Sequence, residues 1–342
     1  MAKQASILII YTGGTIGMVR VGKKGLLRSF DFASLLKHVP ELQKIEARIK
    51  AVSFEKPMDS SNMEPDTWKK LAAIIGKHYP KYDGFVVLHG SDTMAYTAFA
   101  LSFMLQDLSK PVVLTGSQLP IGILRTDGKE NFVTAVEIAA AQKNGRPVVS
   151  EVCIYFEYKL YRGNRSHKYN AEQFNAFQSP NYPELAEAGV KLRFNEQALM
   201  PFKKGKLELR SEMDPSVAIL KLFPGIQPAV VSAVMNAKGL KAVILETFGA
   251  GNASTDPRFL EAIRRAVKSG IYVLNITQCN AGAVEQGKYE TSIQLMKAGV
   301  ISGGDMTTEA AVTKVMWLLG QKHSPKAIKK MLTESLRGEL TE

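Results

Sequence analysis

The chain is poor in the residues that build cross-links and cofactor sites. Its 342 residues include 2 cysteines, Cys153 and Cys279, too few for a disulfide framework, so folding requires no oxidising compartment. The 5 histidines, His38, His78, His89, His167 and His323, stand in no H-E-x-x-H pattern, and C-x-x-C is absent, so no metal is expected. A G-x-S-x-G elbow is missing as well, which argues against an α/β-hydrolase triad. The glycines after the first apolar run read Gly13-Gly14-Thr15-Ile16-Gly17, which does not fit the G-x-G-x-x-G of dinucleotide sites. The segment from Gly17 to Lys24 approaches a phosphate loop, but Lys24 stands where a hydroxyl must bind magnesium. No apolar stretch nears the roughly 18 residues of a membrane span. The run Ile7–Ile10 is too short for a signal-peptide core, so a soluble, cytoplasmic protein with no membrane partner is expected.

What is present is ordinary globular material, 45% hydrophobic and 22% charged. The length suggests two domains. Residues 6–11, 85–89, 111–115 and 152–156 are short apolar runs, the pattern of strands buried on both faces of a parallel sheet. Helical patterns at 64–79, 93–107 and 126–142 separate them. A second series has strands at 217–223, 241–248 and 271–277, with helices at 228–237, 256–268 and 307–320. Strand alternating with helix predicts an α/β fold. The polar stretch between the two series is the expected linker, 196–214, dividing an N-terminal domain, 1–195, from a C-terminal one, 215–342.

Three predicted strands end in glycine beside hydroxyls or amides: Thr12-Gly13-Gly14-Thr15, Gly90-Ser91-Asp92-Thr93 and Thr115-Gly116-Ser117-Gln118. Ligands of open parallel sheets sit beyond the carboxyl ends of the strands, and glycine lets them approach the backbone. Each turn taken alone is explained by turn and cap chemistry; three together point to a pocket. Ser91 and Asp92 stand at the predicted start of the helix from Thr93, where orphan N–H groups suit an anion or developing oxyanion. The plain alternative makes Ser91 an N-cap and Asp92 a first-turn acid. Ser61 and Glu64 have capping-box spacing before the helix with Trp68, which leaves Asp59 and Ser60 unexplained.

These residues together resemble the L-asparaginase family, specifically its cytoplasmic type I group. YTGGTIGM at 11–18 and FVVLHGSDTM at 85–94 are similar to its two threonine motifs. MDSSNM at 58–63, TGSQLP at 115–120, LYRGNR at 160–165, GAGNAS at 249–254, TQC at 277–279 and the ending LRGELT follow in family order. The resemblance implies a Rossmann-like (flavodoxin-like) parallel sheet in the N-terminal domain and a smaller C-terminal α/β domain. It implies hydrolysis of L-asparagine to L-aspartate and ammonia, without metal or organic cofactor, by a homodimer or homotetramer. Thr15 matches the nucleophile, Asp92 the acid that binds the substrate ammonium, and Lys168 the lysine that partners the second hydroxyl. Asp59, Ser60 and Ser61 match the segment that holds the α-substituents, with Gly14, Gly90 and Ser117 lining the pocket. Backbone N–H groups near Gly90 and Ser91 would face the oxyanion. Asn252 and Tyr289 are candidates to reach a neighbouring subunit's site. The resemblance leaves open which hydroxyl attacks first.

The chain departs from the family pattern at several positions. Ser91 stands in place of the second threonine, and the loop 21–27 has no tyrosine, with Gly25 or Leu26 at its place. Cys279 matches a regulatory asparagine site known in some type I members, but His167 and Glu246 replace an expected threonine and arginine, and Glu246 would repel a carboxylate. Two other functions compete. An ammonia-releasing subunit of a tRNA-dependent amidotransferase would suit the net charge of +12, but that group carries an extension before T-G-G-T, and here eleven residues precede Thr12. An asparagine sensor would suit Ser91 and the missing tyrosine. The lysines fall in scattered pairs such as Lys69-Lys70 and Lys203-Lys204, so a nucleic-acid partner is not expected.

Overall fold

The computed structural model describes residues 4–21, 26–29 and 38–342. The chain forms two compact units, Met1–Ser211 and Glu212–Glu342. The segment read as linker spans that division and contributes one short strand, Glu208–Leu209, paired with Leu105–Gln106.

The first unit is built on one eight-stranded sheet. In chain order its strands and an adjoining hairpin are β1 (Ala5–Gly13), β2 (Met18–Val21), β3 (Leu26–Ser29), β4 (Ala47–Met58), β5 (Gly84–Leu88), β6 (Val112–Thr115), β7 (Val152–Phe156), β8 (Lys159–Arg162), β9 (Ala186–Ala188) and β10 (Leu192–Phe194). The sheet order is β10-β9-β8-β7-β6-β5-β1-β4, with β2 and β3 pairing only with each other. From β7 to β4 the strands run parallel; β8, β9 and β10 continue antiparallel. All four apolar runs are central strands, and every residue of β1, β5, β6 and β7 is buried. Burying one such Ile, Leu or Phe side chain contributes about 1.5–3 kcal/mol. The sequence pattern did not reveal β4. It is an edge strand, ARIKAVSFEKPM, half-exposed and guarded by Arg48, Lys50, Glu55 and Lys56, which discourage pairing with another chain.

The helices of this unit are α1 (Pro65–His78), α2 (Met94–Met104) and α3 (Gly128–Ala140), each slightly shorter than its sequence pattern. Two expected caps are corrected. Glu64, not Ser61, holds the N-cap position of α1, because Ser61 is turned back onto Asp59. Thr93, not Ser91, holds that position for α2, and the first turn of α2 contains no acid. Every residue of α2 except Tyr96 is buried, as befits a helix that is apolar all round.

The strand order positions the site. Passing β4-β1-β5-β6-β7, the chain first adds a strand on one side of β1 and then on the other. This is the flavodoxin-like arrangement, and the connections from β1 and β5 leave in opposite directions. A crevice therefore opens beyond Gly13 and Leu88, where the two glycine-hydroxyl motifs stand.

The second unit has a four-stranded parallel sheet, β11 (Val217–Lys221), β12 (Ala242–Thr247), β13 (Tyr272–Thr277) and β14 (Ile301–Ser302), in that spatial order. Its helices are α4 (Pro228–Met235), α5 (Pro257–Lys268), α6 (Glu290–Lys297), α7 (Thr308–Gly320) and α8 (Pro325–Thr333). The reading from sequence lacked α6 and α8. Only Ile328 and Leu332 of α8 are buried, a stripe too narrow to stand out among its lysines. Among the described residues no helix is long and apolar enough to cross a membrane.

Candidate active site

Glycine makes the crevice narrow. Gly14 has φ 89, and a side chain there would run into the Gly90 backbone. A Cβ on Gly90 would in turn meet the Ser60 side chain and the Gly14 Cα. Gly13, at φ 130, lies against Met58, whose carbonyl accepts the Gly14 N–H at 3.2 Å. Three chain segments, 13–15, 58–61 and 89–91, thus meet at the switch point, with the Ser60 side chain against Gly90 and backbone against backbone at Gly13 and Gly14. Thr93 Oγ1 donates to the Ser60 carbonyl at 2.7 Å and fixes the middle segment to the head of α2.

The two threonines of T-G-G-T are not equivalent. Thr12 is buried, and its hydroxyl donates to the Leu88 carbonyl at 2.9 Å, joining the ends of β1 and β5. Thr15 is half-buried and begins the one-turn helix Thr15–Gly17 immediately after the strained Gly14. That turn is held from below by Tyr11, whose hydroxyl donates to the Gly17 carbonyl at 3.2 Å. The hairpin β2–β3 follows; of the two residues at the missing tyrosine's place, Gly25 lies with 22–24 outside the described residues, and Leu26 is the first residue of β3.

Across the crevice, Lys168 Nζ donates to Ser91 Oγ at 3.0 Å and meets Asp92 Oδ1 at 2.5 Å. The Lys168 side chain is 15% exposed, and Arg162 and Arg165 just before it are buried. Arg162 pairs with Glu151 at 2.7 Å and stacks over Tyr182. Arg165 donates to the Asn181 carbonyl at 2.8 Å and faces the same ring. Gly163 lies so close to Val152 and Ala98 that no side chain fits. The L-Y-R-G-N-R motif is therefore a buried anchor. It delivers His167 and Lys168 into a short ladder with Phe177–Gln178, and Phe177 packs on Phe156.

Asp59 caps the turn Ser60–Asn62, accepting from Ser61 N and Ser61 Oγ. These bonds, the backbone one foremost, hold its carboxyl below the ordinary range. Ser60 is buried against Gly90, and Ser61 is exposed. Ser117 is buried too, its hydroxyl spent on the Leu119 carbonyl at 2.6 Å. The next residue, Gln118, named from sequence only as part of the third strand-end turn, contacts Ser91; reasoning from sequence missed Asp127, whose carboxylate accepts from the backbone N–H groups of Gln118 and Leu119. Burial raises the Asp127 carboxyl despite those bonds. Its one visible signal was an acid in the first turn of the predicted helix 126–142; here it stands just before the helix and ties down a strand-end loop.

His89 was also passed over. It is fully buried directly beneath the crevice. The Gly90 carbonyl, 2.7 Å away, can only accept, so Nδ1 carries the proton. Nε2 then accepts from Thr97 Oγ1 at 2.9 Å, which itself accepts from Trp68 Nε1 at 2.9 Å. Burial pulls the His89 pKa down from 6.5 to about 4, so the ring is neutral. The unfolded chain therefore takes up this proton first as pH falls, and the stabilisation is complete above pH 6.5 and lost toward pH 4. Urea unfolding is expected to show a loss of about 3 kcal/mol over that window that His89→Gln removes. Parallel stability curves for the two proteins would refute it.

The remaining candidates belong to the second unit, apart from His167 at 167–168 beside Lys168. Asn252 accepts from Thr291 Oγ1 at 2.6 Å, and Tyr289, half-exposed, stands at the start of α6. Glu246, the last residue but one of β12, accepts from Thr308 Oγ1 at 2.6 Å and faces Lys221 at 3.4 Å. Cys279 is exposed just beyond β13. Among the described residues no group of three or more His, Cys, Asp or Glu side chains is arranged to hold a metal ion.

A flavodoxin-like unit with hydroxyls, a lysine and carboxylates gathered at its switch point, joined to a smaller parallel α/β unit, defines a class of two-domain α/β proteins with a polar small-molecule crevice. The models for the asparaginase N-terminal domain and the glutaminase/asparaginase C-terminal domain match residues 6–200 and 216–332, and the chain belongs to the asparaginase family. It is 42% identical to L-asparaginase 1 of Escherichia coli strain K12 over 340 residues, 99% of each chain. It is 40% identical over 365 residues to the 60 kDa lysophospholipase of Mus musculus, covering 100% of this chain and 63% of that one. The crystal structure of L-asparaginase I from Vibrio cholerae superposes with a TM-score of 0.90 at 40% identity, covering 99% and 100% of the two chains.

Proposed function

We propose that the protein hydrolyses L-asparagine to L-aspartate and ammonia through an acyl-enzyme on Thr15. The observation that carries this reading is the Lys168–Ser91–Asp92 cluster facing the Gly14–Gly90 approach. It puts one cation within hydrogen-bond reach of both a hydroxyl and a carboxylate, where the turn that carries Thr15 packs its Gly14 against Gly90. Relatives named L-asparaginase along the full chain support the same substrate.

In this reading the Thr15 oxygen attacks the side-chain amide carbon, and the oxyanion turns toward the backbone N–H groups at Gly90 and Ser91. The C–N bond breaks, ammonia leaves with the proton drawn from the threonine, and an ester remains on Thr15. Water then adds to the ester and releases aspartate. Lys168 and Ser91 order the protons in both halves. Asp92 gives one carboxylate oxygen to Lys168 and remains two-thirds exposed, suited to the substrate ammonium. Ser60 supplies a hydroxyl for the α-carboxylate, and Asp59 holds its turn through the Ser61 N–H and hydroxyl. We further propose a cytoplasmic homodimer or homotetramer in which Tyr289 and Asn252 approach a neighbouring copy's crevice. The free thiols of Cys153 and Cys279 suit a reducing compartment.

The test is ammonia release from L-asparagine and L-glutamine by purified protein. Release from L-asparagine is expected, with Ser91→Thr within about tenfold of wild type and Ser91→Ala down by about 10²-fold. Well-folded protein that releases no ammonia from L-asparagine sinks the proposal.

A further inference from the structure

Gln118 stands at the end of β6 with its side chain between two parts of the crevice. Its Nε2 lies 3.2 Å from the Gln173 carbonyl, which can only accept, so the amide orientation is fixed by chemistry. Oε1 must then face Ser91 Oγ, 3.0 Å away, and accept its proton. Lys168 Nζ can only donate, so Ser91 Oγ receives the lysine with a lone pair at 3.0 Å. The Ser91 hydroxyl thus spends its one proton on Gln118 and one of its two lone pairs on Lys168. Serine lacks the methyl group that stiffens χ1 in threonine, so this chain needs an outside restraint on the rotor at position 91.

The frame around Gln118 is itself held at both ends. Asp127 accepts from Gln118 N at 2.9 Å and Leu119 N at 3.1 Å, and Asn131 Nδ2 bridges Asp127 and the Gly116 carbonyl. On the other side, Asn170 Oδ1 accepts from Glu172 N and Gln173 N, shaping the turn that follows Lys168. Gln118 thus ties the Ser91 hydroxyl to the segment that carries Lys168.

We infer that Gln118 is a positioning residue: its amide oxygen holds the Ser91 proton away from Lys168 and turns the Ser91 lone pairs toward the lysine. The inference rests on the proposed role of Ser91 and Lys168 and deepens it. Gln118→Met keeps the length and removes both hydrogen bonds. It is expected to lower kcat for L-asparagine about tenfold with KM within about twofold. Gln118→Glu keeps an acceptor for Ser91 and is expected to stay within about threefold of wild-type kcat. In a Ser91→Ala background Gln118→Met is expected to change kcat by less than about twofold, because its partner is gone.

Full kcat in Gln118→Met, equal losses in the Met and Glu variants, or an undiminished loss in the Ser91→Ala background each overturn the inference while leaving asparagine hydrolysis intact. If wild type releases no ammonia, the functional reading fails, and a measurement without turnover still decides this one. The Gln118 side-chain ¹⁵N–¹H pair, assigned by its disappearance in Gln118→Met, is expected to shift in Ser91→Ala. An unmoved pair overturns the inference.

Discussion

Thr15→Ala protein is expected to fold as wild type does and to release ammonia from L-asparagine at least about 10³-fold more slowly. The threonine side chain starts a single helical turn at the surface of the crevice, half-buried, so its loss leaves no large cavity. The turn itself is held by other groups: the Gly17–Gly14 backbone bond, the Tyr11 hydroxyl and the Ile121 N–H on the Ile16 carbonyl. Thr12 is the control. Its hydroxyl is committed to the Leu88 carbonyl within the sheet, so Thr12→Val is expected to leave Thr15 competent and to act mainly on stability, by about 1–3 kcal/mol. Steady-state ammonia assays with urea unfolding on each variant check both halves. A Thr15→Ala enzyme within tenfold of wild type would move the nucleophile to Ser91.

The largest effect on stability is expected in the second unit. Lys314 of α7 and Glu339 near the C-terminus are both fully buried, with Nζ and Oε1 2.6 Å apart. The same ammonium donates to the Glu334 carbonyl at 2.6 Å, and the Glu339 carboxylate accepts from the N–H groups of Leu336 at 3.0 Å and Arg337 at 2.7 Å. Burial pulls the lysine pKa down, and the carboxylate beside it opposes that pull. The chain end is therefore folded around a lysine that has no route to water. Glu339→Gln removes the compensating charge, and a loss of about 3–5 kcal/mol in urea unfolding is expected. Removing the charge on both sides, in Lys314→Met with Glu339→Gln, is expected to recover at least about half of it. A Glu339→Gln protein as stable as wild type would show that Lys314 is solvated or neutral.

Much of the architecture was legible because burial writes itself into the strands. A strand covered on both faces must be apolar at every position, so β1, β5, β6 and β7 stood out as unbroken runs. The glycines at their ends marked the crevice for a related reason: Gly14 and Gly90 are backbone surfaces pressed together, a contact that no side chain permits. The edge strand β4 and the antiparallel strands β9 and β10 escaped notice because their partly exposed faces carry charge and no continuous pattern; β8 is largely buried, but its four residues are bounded by Lys159 and Arg162 and make no apolar run. The motif resemblance supplied Thr15, Asp92 and Lys168 as candidates. The residues taken alone gave no sign of Lys168, since a lysine's environment depends on what folds over it.

By itself, then, the sequence determined the α/β class, the central parallel strands and the three glycine-hydroxyl turns, because each follows from local periodicity or from backbone sterics. Only the tertiary structure decided that the Thr12 hydroxyl is spent inside the sheet on the Leu88 carbonyl, while Thr15 begins the turn beyond it. It alone gave Ser91 its two partners, Lys168 and Gln118, which lie 77 and 27 residues away along the chain. Hydrogen bonds between such distant groups leave no spacing in a sequence, because the distance that matters is set by how the sheet brings its strand ends together.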